Sequence, residues 1–297
     1  MKLVATLIAA PGGLSAAMVD RVRAALTGAS EPQWLAPGVA ADISFSADHA
    51  ADQRAIAEQV RSLLSGAPVD FVVQPASGRR KKLFVADMDS TMIGQECIDE
   101  LADYVGRKSH VAAITERAMR GEIEFAQALR ARLDLLQGLP LSVIEEVITQ
   151  RVTITPGARA LVATMRKNGA YTCLVSGGFT LFTRRIAEMI GFDENRANIL
   201  VIEGERLAGR VQEPILGREA KLQALLDLRQ RLRLSAEETL AAGDGANDIP
   251  MIEAAGLGIA FHAKPAVAAA AHARIEHGDL TALLYAQGYR REEFVET

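Results

Sequence analysis

The sequence predicts an α/β protein in which a smaller unit precedes a doubly wound, parallel-sheet (Rossmann-like) core with a helical insertion. Three patterns lead to this prediction. Residues 1–75 show the order β-α-β-β-α-β of a ferredoxin-like unit, residues 93–152 show helical periodicity without a convincing strand, and strands alternate with helices from Thr155 onward. At 297 residues the chain is long enough for two domains. We divide it into residues 1–75, a linker at 76–82, and 83–297.

The first unit is predicted from short apolar runs and two amphipathic segments. Its predicted elements are a strand at Leu3–Ala10, a helix at Leu14–Leu26, strands at Gln33–Leu35 and Val39–Phe45, a helix at Ala50–Leu64 and a strand at Val69–Val73. No cluster of catalytic residue types occurs in this unit, so we expect the chemistry to lie elsewhere.

The linker ends in four consecutive basic residues, Arg79 to Lys82. Such a run can mark a nucleic-acid patch, but the formal net charge is -4 and no matching basic stripe occurs elsewhere. We therefore interpret it as a solvated linker, and we expect neither a nucleic-acid nor a membrane partner.

The core begins with an apolar strand, Leu83 to Ala86, that leads directly into Asp87 and Asp89. Strands disfavour Asp, and neighbouring carboxylates repel each other, so the pair suggests a cation or a phosphoryl group that needs both. A strand-end turn made by polar side chains is the simpler alternative for this stretch. The helical insertion at about residues 93–152 follows at once, in the position of a lid over the end of the strand.

The remaining core elements follow from alternating patterns. They are a helix from Pro156 to Gly169, a strand at Tyr171–Val175, a helix at Leu181–Ile190, a two-stranded ribbon at Ile199–Ile202 and Leu207–Val211, a helix at Ala220–Leu232, a strand at Thr239–Ala242, a helix at Ile249–Ala255, a strand at Leu257–Phe261, a helix at Pro265–Ala271 and a strand at Arg274–Ile275. Ligands of such sheets bind outside the carboxyl ends of the strands.

Three loops should meet at that edge: residues 87–91, 176–178 and 243–248. They bring together four carboxylates, a serine hydroxyl and two glycines, and Lys221 lies one helix before the last loop. Oxygen ligands without a His or Cys cluster favour Mg²⁺. A Ser-Gly-Gly turn at a helix start offers backbone N–H groups to phosphate. The set suits phosphoryl transfer.

Two other mechanisms are excluded by absent motifs. The chain has no Gly-rich loop ending in Gly-Lys-Ser/Thr, so it is not a P-loop nucleotide enzyme. No Ser-His or Cys-His pair lies near the three loops, so the nucleophile is assigned to a carboxylate.

Asp87 to Thr91, Ser176, Lys221 and Gly243 to Asp248 resemble, in that order, the four motifs of the haloacid dehalogenase-like phosphohydrolases, over about residues 80–290. More narrowly, they resemble the branch that hydrolyses phosphoserine in serine biosynthesis. The further motifs that support this branch are Glu96, Gly121 to Phe125 leading into Leu129 to Arg132, and Ser176 to Phe179. The N-terminal unit resembles the ACT-like regulatory domain of many bacterial members.

The resemblance implies Asp87 as nucleophile and Asp89 as general acid and then base. It implies Mg²⁺ on Asp87, on the backbone carbonyl of Asp89 and on Asp244, with Asp248 orienting the metal shell and Lys221.

It also implies a set of substrate contacts for O-phospho-L-serine. Ser176, Gly177 and Lys221 would hold the phosphoryl oxygens, Asn247 would lie beside the substrate, and in the cap Glu96 would meet its ammonium and Arg132 its carboxylate.

Two alternatives stay open at this point. One is the same chemistry on another small phosphorylated acid or sugar, because only the cap discriminates. The other is a non-catalytic amino-acid sensor, against which the presence of both Asp87 and Asp89 argues. ACT-like units imply L-serine as an effector and a homodimer.

Two cysteines, Cys97 and Cys173, lie far apart outside any metal-ligand spacing, which is typical of a reducing compartment. The apolar run at Leu3–Ala10 ends at Pro11-Gly12-Gly13 and is not interpreted as a signal peptide. We expect a cytoplasmic protein.

Overall fold

The computed structural model describes residues 1–48, 52–64, 66–119 and 122–296. The first unit has the predicted order of elements: β1 Lys2–Ala9, α1 Ala16–Ala25, β2 Gln33–Ala36, β3 Ala40–Ser46, α2 Gln53–Leu63 and β4 Val69–Pro75. Its strands pair antiparallel in the order β2-β3-β1-β4. The predicted start of the second helix, at Ala50, lies outside the described residues.

The core is the predicted doubly wound sheet with its cap. Its elements are β5 Leu83–Ala86, α3 Cys97–Tyr104, α4 Lys108–Met119, α5 Phe125–Asp134, α6 Ser142–Gln150, α7 Ala158–Lys167, β6 Tyr171–Phe179, α8 Thr180–Ile190, β7 Glu194–Asn198, β8 Leu200–Glu203, β9 Arg206–Val211, α9 Arg218–Arg231, β10 Thr239–Gly243, α10 Ile249–Ala254, β11 Leu257–Phe261, α11 Pro265–Ala270, β12 Ala273–Ile275 and α12 Ala282–Ala286. The fold class is confirmed, and β7 and α12 were not predicted.

The parallel order β12-β11-β10-β5-β6-β7 places the first core strand in the middle of the site. The strand β5 pairs with β10 on one side and with β6 on the other. All four residues of β5 are completely buried, which explains why this strand is a continuous apolar run. The ends of β5, β6 and β10 therefore carry the three predicted loops to one edge.

The two units share one sheet. Strand β4 of the first unit pairs antiparallel with β12 of the core at Phe71 and Arg274, and the described strands of the two units form a ten-stranded sheet. Beside this pair, the Asp70 carboxylate accepts hydrogen bonds from the backbone N–H groups of residues 276–278, at 2.7 to 3.2 Å. These bonds satisfy a carboxylate that is 2% exposed.

The basic linker is only partly solvated, so the prediction is wrong for Arg79 and Lys81. The Arg79 side chain is 13% exposed and pairs with Asp42 at 2.6 Å. It also donates to the Thr6 hydroxyl at 2.9 Å and to the Ala286 carbonyl, at the end of α12, at 3.1 Å. A buried carboxylate on β3 and carbonyls at a helix end both need a donor, and Arg79 supplies it to both.

Lys81 is buried in the same linker, where backbone carbonyls hold its ammonium. Its ammonium donates to the carbonyls of Glu237 at 2.7 Å and Gly78 at 3.0 Å. Burial lowers its pKa from the usual value. The other two basic side chains, Arg80 and Lys82, are 46% and 63% exposed, as the linker interpretation expects.

The cap leaves and rejoins the core at one place. Ile93 and Ile154 form an antiparallel bridge, so the two connections to the cap lie side by side above β5. The ribbon of β8 and β9 extends the cap, because Leu207 exchanges backbone hydrogen bonds with Gly138 and Leu139, at 2.8 and 2.9 Å. Across the described residues, no helix is both long and apolar enough to cross a membrane.

Candidate active site

A buried lysine joins two of the predicted carboxylates. The Lys221 ammonium, on α9, lies 2.7 Å from Oδ1 of Asp87 and 2.5 Å from Oδ1 of Asp248. Lys221 is 1% exposed, Asp87 5% and Asp248 0%. The second oxygen of Asp248 accepts the backbone N–H of Gly245 at 3.0 Å, which holds the turn after β10. The three side chains, separated by up to 161 positions in sequence, thus form one buried ionic cluster.

The cluster carries more negative than positive charge. Burial alone would lower the pKa of Lys221, but the charges of Asp248 and Asp87 outweigh it and raise that pKa. Burial and the charge of Asp248 raise the pKa of Asp87 well above its usual range, although Lys221 opposes them. Burial and Asp248 also raise the pKa of Asp244. One ammonium is therefore insufficient to balance these carboxylates.

A divalent cation fits this donor set. One oxygen from each of Asp87, Asp244 and Asp248 lies within 4.8 Å of the others. Three carboxylates and one ammonium leave two negative charges, which a dication would neutralise, and hard oxygen donors suit Mg²⁺. The hydroxyl of Thr91 donates to Oδ1 of Asp244 at 3.3 Å and holds that side chain at the edge.

The Asp89 carboxylate accepts hydrogen bonds from groups outside this cluster. Its Oδ1 accepts the backbone N–H of Cys97 at 2.8 Å, and its Oδ2 accepts the Ser176 hydroxyl at 3.1 Å. The next residue, Ser90, has a left-handed backbone (φ 56°) that turns the chain towards the cap. The two predicted catalytic carboxylates therefore occupy different environments, one beside Lys221 and one beside Ser176.

Ser176 to Gly178 do not form the predicted turn at a helix start. They continue β6 as an irregular segment, and α8 begins only at Thr180. The Ser176 hydroxyl oxygen accepts the N–H of Gly178 at 2.8 Å while donating to Asp89. The segment thus keeps its place beside Asp89 with different backbone geometry from the prediction.

The cap touches this segment through Phe125, which was not predicted as a site residue. A Cβ atom on Gly177 would lie 3.3 Å from the Phe125 ring, and one on Gly217 would lie 3.4 Å from it. Glycine at both positions lets the ring approach the backbone closely. The sequence indicated Phe125 only as the last residue of the cap motif Gly121 to Phe125, without a role of its own.

Two cap residues have predicted substrate roles, and their charges interact with each other. Glu96 remains accessible to solvent and accepts the Ser90 hydroxyl at 2.8 Å. Partial desolvation in the cleft and the charge of Asp89 raise the pKa of Glu96 to about 7. The guanidinium of Arg132 donates to the Thr115 hydroxyl at 3.4 Å, and burial lowers its pKa against the charges of Asp99 and Glu96.

The last predicted residues lie at the end of β10 and in the cap motif. Asn247 lies half-buried on the turn at Ala246–Asp248, at the end of β10. Gly121, in the cap motif, lies outside the described residues. Asn198 was missed, although its buried amide contacts both Gly177 and Leu216.

Comparisons with known proteins agree with this geometry. The model of the haloacid dehalogenase-like hydrolase family matches residues 84–253. A curated phosphoserine phosphatase from Albidiferax ferrireducens is 48% identical over 208 residues, covering 68% of this chain and 88% of that protein.

Two solved structures are also similar. A HAD family hydrolase from Salmonella enterica serovar Typhi has a TM-score of 0.86 at 28% identity, covering 98% of this chain and 99% of the other. A phosphoserine phosphatase solved as a phospho-aspartyl intermediate analogue has a TM-score of 0.65 at 39% identity, covering 69% and 98%. The predicted enzyme class is confirmed, and the chain belongs to the haloacid dehalogenase-like hydrolase family.

Proposed function

We propose that the protein is a Mg²⁺-dependent phosphomonoesterase that hydrolyses O-phospho-L-serine to L-serine and phosphate, the final step of serine biosynthesis. The observation that carries the proposal is the position of Asp87. It is buried at the end of the central strand, held by Lys221 and clustered with Asp244 and Asp248. The similarity to curated phosphoserine phosphatases supports the choice of substrate.

In the first step an Asp87 oxygen attacks phosphorus, and the bond from phosphorus to the serine oxygen breaks. Asp89 gives its proton to the departing oxygen, so serine leaves as an alcohol. Lys221, the Ser176 hydroxyl and the Gly177 backbone are proposed to hold the phosphoryl oxygens. When bound by Asp87, Asp244 and the Asp89 carbonyl, Mg²⁺ neutralises charge that would otherwise repel the substrate.

In the second step water hydrolyses the aspartyl-phosphate. Asp89, now ionised, takes a proton from the water while the water oxygen bonds to phosphorus. The bond between phosphorus and the Asp87 oxygen breaks, which releases phosphate. The separate surroundings of the two carboxylates support this division of roles, because Asp89 faces Ser176 and not Lys221. A solved relative that represents a phospho-aspartyl intermediate supports the same route.

Glu96 and Arg132 are proposed to recognise the amino-acid part of the substrate. The serine ammonium would favour the ionised form of Glu96, and the Arg132 fork would pair with the serine carboxylate. The antiparallel βαββαβ unit supports a further proposal of an ACT-like domain that binds L-serine in a homodimer. Serine inhibition together with the mass in solution tests that part, and the cytoplasm is the proposed location.

Phosphate release from a panel of phosphorylated acids and sugars tests the substrate. Arg132→Ala should lower kcat/KM for phosphoserine by ~10–100-fold, because it removes a hydrogen bond between charged groups. Hydrolysis of p-nitrophenyl phosphate, which lacks a serine carboxylate, should change little. Arg130→Ala is the matched control, since Arg130 lies on the same helix but pairs with Glu213 at 2.6 Å. Preference for another substrate, or an unaffected Arg132→Ala enzyme, would refute the assignment.

A further inference from the structure

Asn198 is a buried amide whose hydrogen-bonding groups are used at both ends. It is the last residue of β7 and is 2% exposed. Its Nδ2 donates to the carbonyls of Gly177 at 2.9 Å and Leu216 at 3.1 Å, and its Oδ1 accepts the N–H of Leu216 at 2.7 Å. One side chain therefore ties the end of β6 to the segment that leads into α9.

The irregular pairing of β6 with β7 explains why an amide is needed here. Val175 pairs with Arg196, but the next pair is Phe179 with Asn198. Three residues of β6 thus face one residue of β7, and a bulge of this kind leaves backbone groups without their ladder partners. The buried Asn198 amide supplies a donor to the Gly177 carbonyl inside this bulge.

The bond to Gly177 sets the orientation of the peptide that joins Gly177 to Gly178. Its carbonyl accepts from Asn198, and its N–H donates to the Ser176 oxygen at 2.8 Å. The Ser176 hydroxyl in turn donates to Oδ2 of Asp89 at 3.1 Å. A continuous chain of hydrogen bonds therefore leads from Asn198 to the proposed general acid.

The bonds to Leu216 act on the other side of the phosphoryl site. Leu216 immediately precedes Gly217, the N-cap residue of α9, and Lys221 lies in the first turn of that helix. Gly177 and Gly217 are also the two glycines that flank the Phe125 ring. The amide thus holds two backbone segments at the spacing that the cap residue requires.

We propose that Asn198 is a positioning residue for phosphoryl transfer, which aligns the Ser176-Gly177 segment and, through Ser176, the Asp89 carboxylate. The proposal rests on the proposed function for its catalytic meaning. Asn198 lies behind the loop and is not placed to touch the substrate itself.

Asn198→Ala tests the proposal, with Asn195→Ala as the matched control. Asn195 lies on the same strand, but its amide oxygen accepts the Thr183 hydroxyl of α8, at 2.9 Å. Misplacement of a reacting group by about 1 Å costs on the order of 10²-fold in rate, so Asn198→Ala should lower kcat/KM for p-nitrophenyl phosphate by about that factor. Asn195→Ala should stay within about 3-fold of wild type, because its amide does not contact the phosphoryl site.

Inhibition by two probes separates positioning from general damage. Orthovanadate occupies the phosphoryl site, so its inhibition constant should rise at least ~10-fold in Asn198→Ala. The reason is that the hydrogen-bond donors of the Ser176-Gly177 segment would no longer be aligned with its oxygens. As the product, L-serine is proposed to bind Glu96 and Arg132 in the cap, so its constant for competitive inhibition should stay nearly unchanged. Hydrogen exchange should accelerate in peptides that contain residues 176–178 and 216–217, and not in α5.

The outcomes are distinct. Parallel weakening of vanadate and serine, or activity equal to that of Asn195→Ala, would overturn the proposal. If the alanine variant does not fold, Asn198→Ser is used in its place, because the serine hydroxyl can donate to one of the two carbonyls. This variant should lose part of the affinity for vanadate. Absence of phosphoserine hydrolysis in the wild type would refute the proposed function alone, because p-nitrophenyl phosphate and vanadate still test Asn198.

Discussion

Replacing Lys221 by methionine removes the cation from the buried cluster while keeping a side chain of similar length. Asp87 and Asp248 would then lie in the core with no ammonium between them, and Asp244 adds a third carboxylate nearby. We expect Lys221→Met to lose both stability and activity, because the ammonium balances buried charge and is proposed to hold the phosphoryl group.

The distances set the size of the effect. At 2.5 and 2.7 Å and an effective dielectric constant of about 20, each pair attracts by about 6 kcal/mol. Taking the ammonium out of water offsets much of this gain, and breaking buried pairs costs ~3–5 kcal/mol in measured cases. For a chain of this size such a loss lowers Tm by roughly 5–8 °C.

Thermal unfolding followed by circular dichroism, with and without Mg²⁺, measures this loss. Lys81→Met is the matched control, because Lys81 is also buried but donates to the backbone carbonyls of Gly78 and Glu237. It should cost about 1–2 kcal/mol and leave activity unchanged. Mg²⁺ should recover part of the stability of Lys221→Met by neutralising the carboxylates. A cost below about 1 kcal/mol, or one equal to the control, would refute the reasoning.

Three further predictions concern the linker, a half-buried histidine and the metal. Arg79→Met should lower the free energy of unfolding in urea by ~3–5 kcal/mol, because it leaves Asp42 buried without its cationic partner. Lys82→Met, at an exposed ion pair, should cost less than about 1 kcal/mol. Equal losses would contradict a stabilising role of the buried Arg79–Asp42 pair. Burial, followed by the charge of Arg54, lowers the pKa of His272. The Nδ1 atom of His272 accepts a backbone N–H at 3.1 Å. The unfolded chain therefore binds a proton on His272 at a pH at which the folded protein does not. The free energy of unfolding should therefore carry no penalty from His272 above pH 6.5 and should lose stability through it as the pH drops below that value. The loss should be less steep in His272→Asn, and identical pH profiles of unfolding would exclude this contribution. Removal of divalent ions with EDTA should abolish phosphate release and Mg²⁺ should restore it, and unchanged activity in EDTA would exclude the metal.

Elements with strong local patterns could be predicted from the sequence. The run Leu83 to Ala86 is apolar because β5 is buried on both faces, and the carboxylates after it lie at the edge that parallel topology dictates. The strand β7, Glu194–Asn198, was missed because its residues are mostly polar and show no alternation. Its Glu194 is partnered by Tyr171 and two arginines, none of which local periodicity can indicate.

Residues that act through distant partners were the ones that sequence patterns could not place. Arg79 belongs to a charged run that is typical of solvent, and only the fold brings it to Asp42, 37 positions away. Ser176 to Gly178 have the composition of a turn, yet pairing with β7 draws them into the sheet. Asn198 carries no local signal, because its amide is required by a bulge that only the pairing of the strands creates.

The proposed nucleophile can be tested most directly by trapping the covalent intermediate. The enzyme would be mixed with ³²P-labelled phosphoserine and Mg²⁺, quenched in acid and digested, and the labelled peptide identified by mass spectrometry. We predict an acid-stable, hydroxylamine-sensitive acyl phosphate on Asp87, and no label in Asp87→Asn, whose activity should fall by roughly 10⁴-fold or more. Label on another residue, or full turnover in Asp87→Asn, would contradict the account.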